Sequence, residues 1–531
     1  MWEKGWRNEI WKDIDREWDI LVIGGGITGA GVFRRAVAAG LKVLLVEGND
    51  FASGTSSRSS KLVHGGFRYL KNKQWDVTHE SVQEREWMLR EAKNLVTPLG
   101  FLMPVFSNAH TATQFAIGVV IYDLMAPKWK HFHFSKATML RQCPQLRADT
   151  LMSGFLYFDA EMDDARLVLH MLREAVTDGG TAINYVKAEK LLRNREGRVC
   201  GAVLRDNSGE SDREVEVKAK VVINAAGPWS DDLRSQVGAS PRIRPLRGSH
   251  LIFPRERLPL AHAVTLLHPR DHRAMFAIPW EGVTMIGTTD LDNKTVPHGS
   301  EPFATEDEID YILEAGNATF GSSDLCREDV LSTFAGLRPI ITSGEGVDPS
   351  KESRAHVVWE EEGLITVTGG KLTTFRIMAE QALSLAAPHL PGDPDFKKRL
   401  RYFDPLPIFD TNKEISSQDM AYLSGRYGAD TPTLLHTSRK EEMQHIETLP
   451  NLWAEVRWAA KCSGIQHLDD LLLRRVRLGM LLPDGAAAQM DRIRAIAQPE
   501  LGWDDSRWNR EEERYKKIYK AYYSPVPTGK E

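Results

Sequence analysis

Six consecutive residues, Gly24-Gly25-Gly26-Ile27-Thr28-Gly29, carry the clearest chemistry in this 531-residue chain. They satisfy the spacing GxGxxG. Gly24 makes a tight turn, Gly26 lets backbone approach a diphosphate, and Gly29 lets a helix and a strand pack closely. The N–H groups and positive dipole end of a helix starting there would face phosphate oxygens. Glu47 comes 18 positions after Gly29, where a carboxylate accepts hydrogen bonds from ribose hydroxyls. These residues need a strand, a helix and a second strand to hold them, and the sequence supplies all three. DILVIGGG reads as a buried strand running into a glycine turn, ITGAGVFRRAVAAG as a helix ending at Gly40, and LKVLLVEG as another buried strand. Together they form a parallel βαβ unit from about Asp19 to Glu47.

Such a unit serves FAD or NAD alike, so other segments decide. VVINAAGPW is a strand ending in small residues, Ala225, Ala226 and Gly227, where backbone can come close to a flat or phosphorylated ligand. GLITVTGGKLTTF repeats the strand–glycine–helix plan, and its helix start at Gly370, Lys371, Leu372 and Thr373 could face a second polar part of a long cofactor. No second GxGxxG exists. Passing electrons from a nicotinamide to a flavin usually needs two nucleotide sites, so one site favours resident FAD, reduced directly by a small substrate.

Hydrophobic content of 42% and charged content of 27% are those of an ordinary globular protein. A net charge of −5 gives no reason to expect nucleic acid as a partner. Cys143, Cys200, Cys326 and Cys462 form no CxxC pair, which argues against a zinc site or a dithiol redox centre, and no metal is expected. No run of 18 apolar residues exists, so nothing is expected to span a membrane. Glu3, Glu9, Asp13, Asp15, Glu17 and Asp19 argue against a signal peptide and for the cytoplasm. Trp2, Trp6, Ile10, Ile14 and Trp18 recur every four residues, as in an amphipathic lead-in helix packed on the first domain. INYVKAEKLL, VCGAVLRD and REVEVKAKVVIN read as antiparallel strands; HLIF, HAVTLLH, AMFAIP and VTMIGTTD suggest another sheet. Thr305 and Glu308 stand in capping-box spacing before a helix reaching about Ala315, and another helix runs from about Leu372 to Ala387. A Pro-rich passage from Pro388 to Pro407 separates a helical C-terminal part.

Several stretches resemble the FAD-dependent, respiratory-type glycerol-3-phosphate dehydrogenase family: DILVIGGGITGAG, FASGTSSRSSKLVHGGFRYL, INAAGPW, RGSHLIF, IPWEGVTMIGTTD, GLRPI and TVTGGKLTTFRIMAE. They run in order from about residue 18 to 385, and a fainter likeness continues through AEVRWAAKCSGIQHLDDLLLRRVRLG. The resemblance implies an α/β (α+β) fold: an FAD-binding Rossmann-like domain, an antiparallel-sheet substrate domain and a C-terminal helical domain. The core of residues 1–390 is then discontinuous, with FAD-binding pieces at about 18–75, 150–240 and 332–390 and substrate-binding pieces at about 76–149 and 241–331. The helical domain covers 408–531. Among the motif residues, Ser53, Thr55, Ser56, Ser60, Lys61, Leu62, Gly65 and Gly66 join the glycine and Lys371 motifs as candidate FAD contacts.

The implied activity is oxidation of sn-glycerol 3-phosphate to dihydroxyacetone phosphate by hydride transfer to flavin N5, with electrons passed to a membrane quinone. A dianionic substrate needs cations, and Arg68 and Arg338 match substrate-contacting family positions; Tyr69 and Lys371 join them. The C2 hydroxyl needs a base or a cation for its developing alkoxide. His250, His64 and Arg338 are the candidates, and the sequence leaves the choice open. The alternative activity is a hydrogen-peroxide-forming oxidase of glycerol 3-phosphate or another small substrate; a third reading is a binding protein that has lost its flavin. Quinone reduction implies peripheral contact with the inner face of the cell membrane. The Trp-rich first helix, Phe101–Pro104, Phe115–Met125 and Lys128–Phe132 are the candidate surfaces. A homodimer stays open.

Overall fold

The structure, a computed structural model, describes residues 2–66, 75–106, 131–293, 301–321, 324–342, 355–392, 394–396, 401–406 and 415–529. Trp18–Ile23 lies in the middle of a parallel sheet, between Val43–Val46 and Glu214–Asn224. Thr181–Ile183 and Leu364–Gly369 extend it on either side, and His356–Glu361 closes one edge antiparallel. Every residue of Trp18–Ile23 is buried. Its side chains alternate between two cores, as the period of a strand requires. Ile20 and Val22 pack with the helices Ile27–Ala38, Asp164–Thr177 and Phe375–Ala386, whereas Leu21 and Ile23 pack with the strands Val186–Arg193 and Val199–Asp206. The predicted βαβ unit is therefore present. Glu214–Asn224 serves both arrangements: its first half pairs antiparallel with Val199–Asp206 and its last residues join the parallel sheet.

The second sheet places Ile243–Pro254 between Val283–Gly287 and Ser332–Ile341, both antiparallel. Ala274–Trp280 and Ala263–Leu267 continue it, and a parallel join to Val96–Phe106 leads on to Leu151–Met162. Leu151–Met162 and Ser332–Ile341, grouped by sequence with the FAD-binding pieces, are hydrogen-bonded in this antiparallel sheet. Glu306–Thr319 begins with the expected Thr305–Glu308 capping box. The other expected helix opens as a short 3-10 turn, Leu372–Thr374, before Phe375–Ala386.

The lead-in helix is shorter than its spacing suggests. It covers only Trp6–Asp13, and Trp18 already belongs to the first strand. The four-residue step persists because the Trp18 indole N–H turns back to donate to the Ile14 carbonyl at 2.9 Å. Trp2 is buried and donates to the Ala182 carbonyl, so this segment packs on the parallel sheet. Phe101–Pro104, offered above as a membrane surface, is the buried middle of a strand. Among the described residues no helix is long and apolar enough to cross a membrane.

The C-terminal helices share a core with the antiparallel sheet. Ile252, Ile278, Trp280 and Phe334 pack in one cluster with Trp453, Leu472, Ile493 and Trp508. Burial of this kind stabilises by about 25 cal/mol per Å² of apolar surface, and it joins the two parts into one body.

Candidate functional site

A cavity of about 870 Å³ runs from the glycine turn, past a serine-rich loop, to the middle of the antiparallel sheet. Ligand pockets commonly span ~300–1,000 Å³. At one end Gly24, with φ +117°, crosses so close to the 214–224 strand that a Cβ would lie 2.4 Å from the Ala225 carbonyl. A Cβ on Gly29 would lie 1.8 Å from the Gly24 carbonyl. Neither glycine leaves room for a side chain, and Gly26 and Thr28 line the cavity. Ile27 N–H donates to Ser56 Oγ at 2.9 Å, tying the first turn of the helix to the serine loop. Glu47 accepts from the Gly25 and Asn49 N–H groups at 2.7 and 2.8 Å, and burial pushes its carboxyl above the ordinary range.

Ser53, Thr55, Ser56, Ser60, Leu62 and Gly66 form the central wall, and Ala226, Gly227, Gly370, Lys371, Leu372 and Thr373 face the same space. Gly65 and Lys61 do not line it. The Gly65 N–H donates to Asp159 Oδ1, and Lys61, at φ +58°, turns its side chain the other way. There its ammonium is fully buried, 2.6 Å from the Ser57 carbonyl and 2.8 Å from Asp164 Oδ2. Burial brings its pKa down to about 8. The Lys61 side chain thus forms an internal ion pair with Asp164 and is not part of the cavity wall.

At the other end three strands bring His250 and Arg338 together. His250 sits across from Gly287 on one side and Phe334 on the other. Its ring stacks on Phe334 with centroids 4.6 Å apart, and a Cβ on Gly287 would lie 2.2 Å from Cδ2. Ser60 Oγ lies 2.9 Å from Nε2. Burial, followed by the charges of Lys61 and Arg338, holds the imidazole pKa well below its ordinary 6.5, so the ring is neutral. Arg338 lies flat over Gly248, donating from Nη1 to Asp290 Oδ1 at 3.1 Å and from Nη2 to Thr288 Oγ1 at 2.9 Å. Arg273 reaches the other oxygen of the same buried carboxylate at 2.7 Å. Lys371 donates to Ser81 Oγ at 2.9 Å, and His64 lines the cavity nearby. Arg68 and Tyr69 lie outside the described residues.

The family described as FAD dependent oxidoreductase matches residues 19–380, and the C-terminal domain of alpha-glycerophosphate oxidase matches 368–508. The aerobic glycerol-3-phosphate dehydrogenase of Staphylococcus aureus is 39% identical, covering 88% of either chain. Glycerol-3-phosphate dehydrogenase 2 of Mycobacterium tuberculosis is 34% identical, covering 96% of this chain and 89% of its own. This chain belongs to the FAD-dependent glycerol-3-phosphate dehydrogenase family. The structure of the Bacillus halodurans glycerol-3-phosphate dehydrogenase complexed with FAD superimposes with a TM-score of 0.74 at 28% identity, covering 99% of both chains.

The family's cofactor is FAD, and the cavity fits it. Two Cβ-intolerant glycines open the diphosphate end, hydroxyls line the middle, and the helix starts at Ile27 and Leu372 border the cavity. Asp290 and Arg273 were missed in the sequence. Asp290 ends the family-like VTMIGTTD run and could have been noticed, whereas Arg273 stands in a plain turn that no motif marks.

Proposed function

We propose that this protein oxidises sn-glycerol 3-phosphate to dihydroxyacetone phosphate and hands the electrons to a membrane quinone. The observation that carries the substrate half is the convergence of Arg273 and Arg338 on one buried carboxylate, Asp290. Two guanidiniums meet one carboxylate at the cavity wall, beside a neutral imidazole. A phosphorylated secondary alcohol calls for that combination. The cations hold its phosphate and its developing alkoxide, and a base accepts the hydroxyl proton. Lys371 adds a further cation at the helix start.

The proton goes to His250 Nε2, which the Ser60 hydroxyl reaches at 2.9 Å. Ser60 keeps the ring oriented, and the stack on Phe334 fixes its plane. His250 stays deprotonated until substrate arrives, because burial and two neighbouring cations oppose a charge there. Bound FAD supplies the hydride acceptor at N5 of its ring. We place Arg68 and Tyr69 with the substrate on the motif match alone. The quinone and the inner face of the membrane come from the family resemblance, supported by the half-exposed Phe132 and Met152 at one end of the antiparallel sheet. A peroxide-forming oxidase is the second reading, favoured by the match of residues 368–508 to an oxidase domain.

The test is anaerobic titration of the purified flavoprotein with sn-glycerol 3-phosphate, following absorbance between about 350 and 550 nm. Bleaching that a quinone analogue reverses is expected. A flavin band that stays unchanged sinks the substrate assignment, and peroxide formed at the quinone rate favours the oxidase.

A further inference from the structure

The cavity wall from Ser53 to Ser60 contains no strand and only one 3-10 turn, Thr55–Ser57. It is held from outside, by a short stretch of the C-terminal helices. On its N-terminal side lies Asp50, fully buried. Arg475 donates to both of its oxygens, from Nη1 at 2.6 Å and Nη2 at 2.7 Å, and Arg474 Nε donates at 2.5 Å. Burial alone would raise the Asp50 pKa, and the two arginines outweigh it and hold the carboxylate charged.

At the C-terminal end of the same wall, Arg477 donates to the Ser57 carbonyl at 3.2 Å, to Asp163 Oδ1 at 2.8 Å and to Asp164 Oδ1 at 2.5 Å. The other Asp164 oxygen accepts from Ser59 N–H, Ser59 Oγ and Lys61 Nζ at 3.0, 2.7 and 2.8 Å. Between Ser59 and Lys61 stands Ser60, whose hydroxyl meets His250. The three arginines reach both ends because the chain leaves α-helical geometry between them. Asp470–Arg475 is a π-turn, and Arg477 has φ +62°. Wide turns of this kind recur where side chains must be re-aimed.

We propose that Arg474, Arg475 and Arg477 are positioning residues for the FAD-binding serine loop. The C-terminal helices set that loop's shape at both ends and, through Ser60, the hydroxyl on His250. This deepens the reading of the cavity as the FAD site and rests on it. It makes no use of the alcohol assignment.

The experiment titrates apoprotein of the full-length Arg477→Gln variant with FAD and follows flavin fluorescence. Arg457→Gln is the matched control: Arg457 pairs with Glu442 and Glu500 within the C-terminal helices and does not line the cavity. Both changes break a buried ion pair and lower the unfolding temperature. Arg477→Gln is expected to raise the FAD dissociation constant about tenfold or more, and Arg457→Gln to leave it within about twofold. Where Arg477→Gln does not fold, Arg477→Lys keeps a charge on the aspartates but lacks the guanidinium fork that also reaches Ser57, and weaker FAD binding than wild type is expected. Equal FAD losses in Arg477→Gln and Arg457→Gln, or unchanged affinity in a folded Arg477 variant, overturn the proposal. Wild-type apoprotein that takes up no FAD sinks the cavity reading as well.

Discussion

At the scale of single residues, the candidate site depends on a guanidinium, Arg338, and a buried imidazole, His250. Arg338 presents a planar fork to Asp290 and Thr288, and the same fork suits a phosphate or alkoxide oxygen. Arg338→Ala should lower kcat/KM for glycerol 3-phosphate by roughly a hundredfold or more, and Arg338→Lys should recover little, since an ammonium lacks the fork. Steady-state assays with a quinone analogue, normalised to flavin content, check this; a loss of under about threefold would remove Arg338 from the substrate site. His250 gives the pH dependence. Its pKa in the folded chain lies well below 6.5, first through burial and then through Lys61 and Arg338. The neutral, proton-accepting form therefore persists as pH falls through 6.5, and the acid limb of kcat/KM belongs below that value. The same shift destabilises the fold on the acid side. Below pH 6.5 the unfolded chain takes up a proton at this position that the folded chain refuses. An acid limb at or above 6.5 would point to a different base.

At the scale of elements, the strand register brings the candidate side chains His250 and Arg338 together. Gly287 is placed opposite His250, and a methyl group there would meet a ring already stacked on Phe334. Gly287→Ala should therefore displace the imidazole and cut kcat while FAD binding is retained, because Gly287 lies outside the cavity wall. Flavin content and single-turnover reduction measured together decide it, and reduction at the wild-type rate would contradict the register argument. This scale also separates what the sequence made legible from what it did not. The dinucleotide turn could be read because its parts are consecutive: strand, three glycines, helix and Glu47 fall within thirty residues. The pairing of His250 with Gly287 and Phe334, and of Arg338 with Arg273 through Asp290, spans three strands and two connecting segments and leaves no local periodicity. Resemblance flagged His250 and Arg338; nothing flagged Arg273. The direction of the Lys61 side chain was not legible either, because it follows from a positive φ, invisible in sequence, that turns the ammonium to Asp164. Trp18 extended a helical pattern into a strand because an indole can return one turn to Ile14.

At the scale of the whole molecule, the helical C-terminal part and the FAD-binding core should behave as one folding unit. The Pro-rich passage suggested a domain boundary, but the charges cross it. Arg474 and Arg475 pair with Asp50, and Arg477 pairs with Asp163 and Asp164, all deeply buried. Removing one partner of a buried pair destabilises by about 3–5 kcal/mol. A domain of this kind is stable by only about 5–15 kcal/mol in total. A chain ending at residue 406 would leave those three carboxylates without their arginines and would expose the apolar face around Ile252, Trp280 and Phe334. It should therefore fail to give a soluble, FAD-binding protein. In the intact chain, loss of flavin environment and loss of helix should coincide on heating, within the error of flavin fluorescence and far-ultraviolet circular dichroism read on the same sample. Separate transitions, with the helices melting while FAD stays bound, would show that the arginine contacts do not couple the two parts.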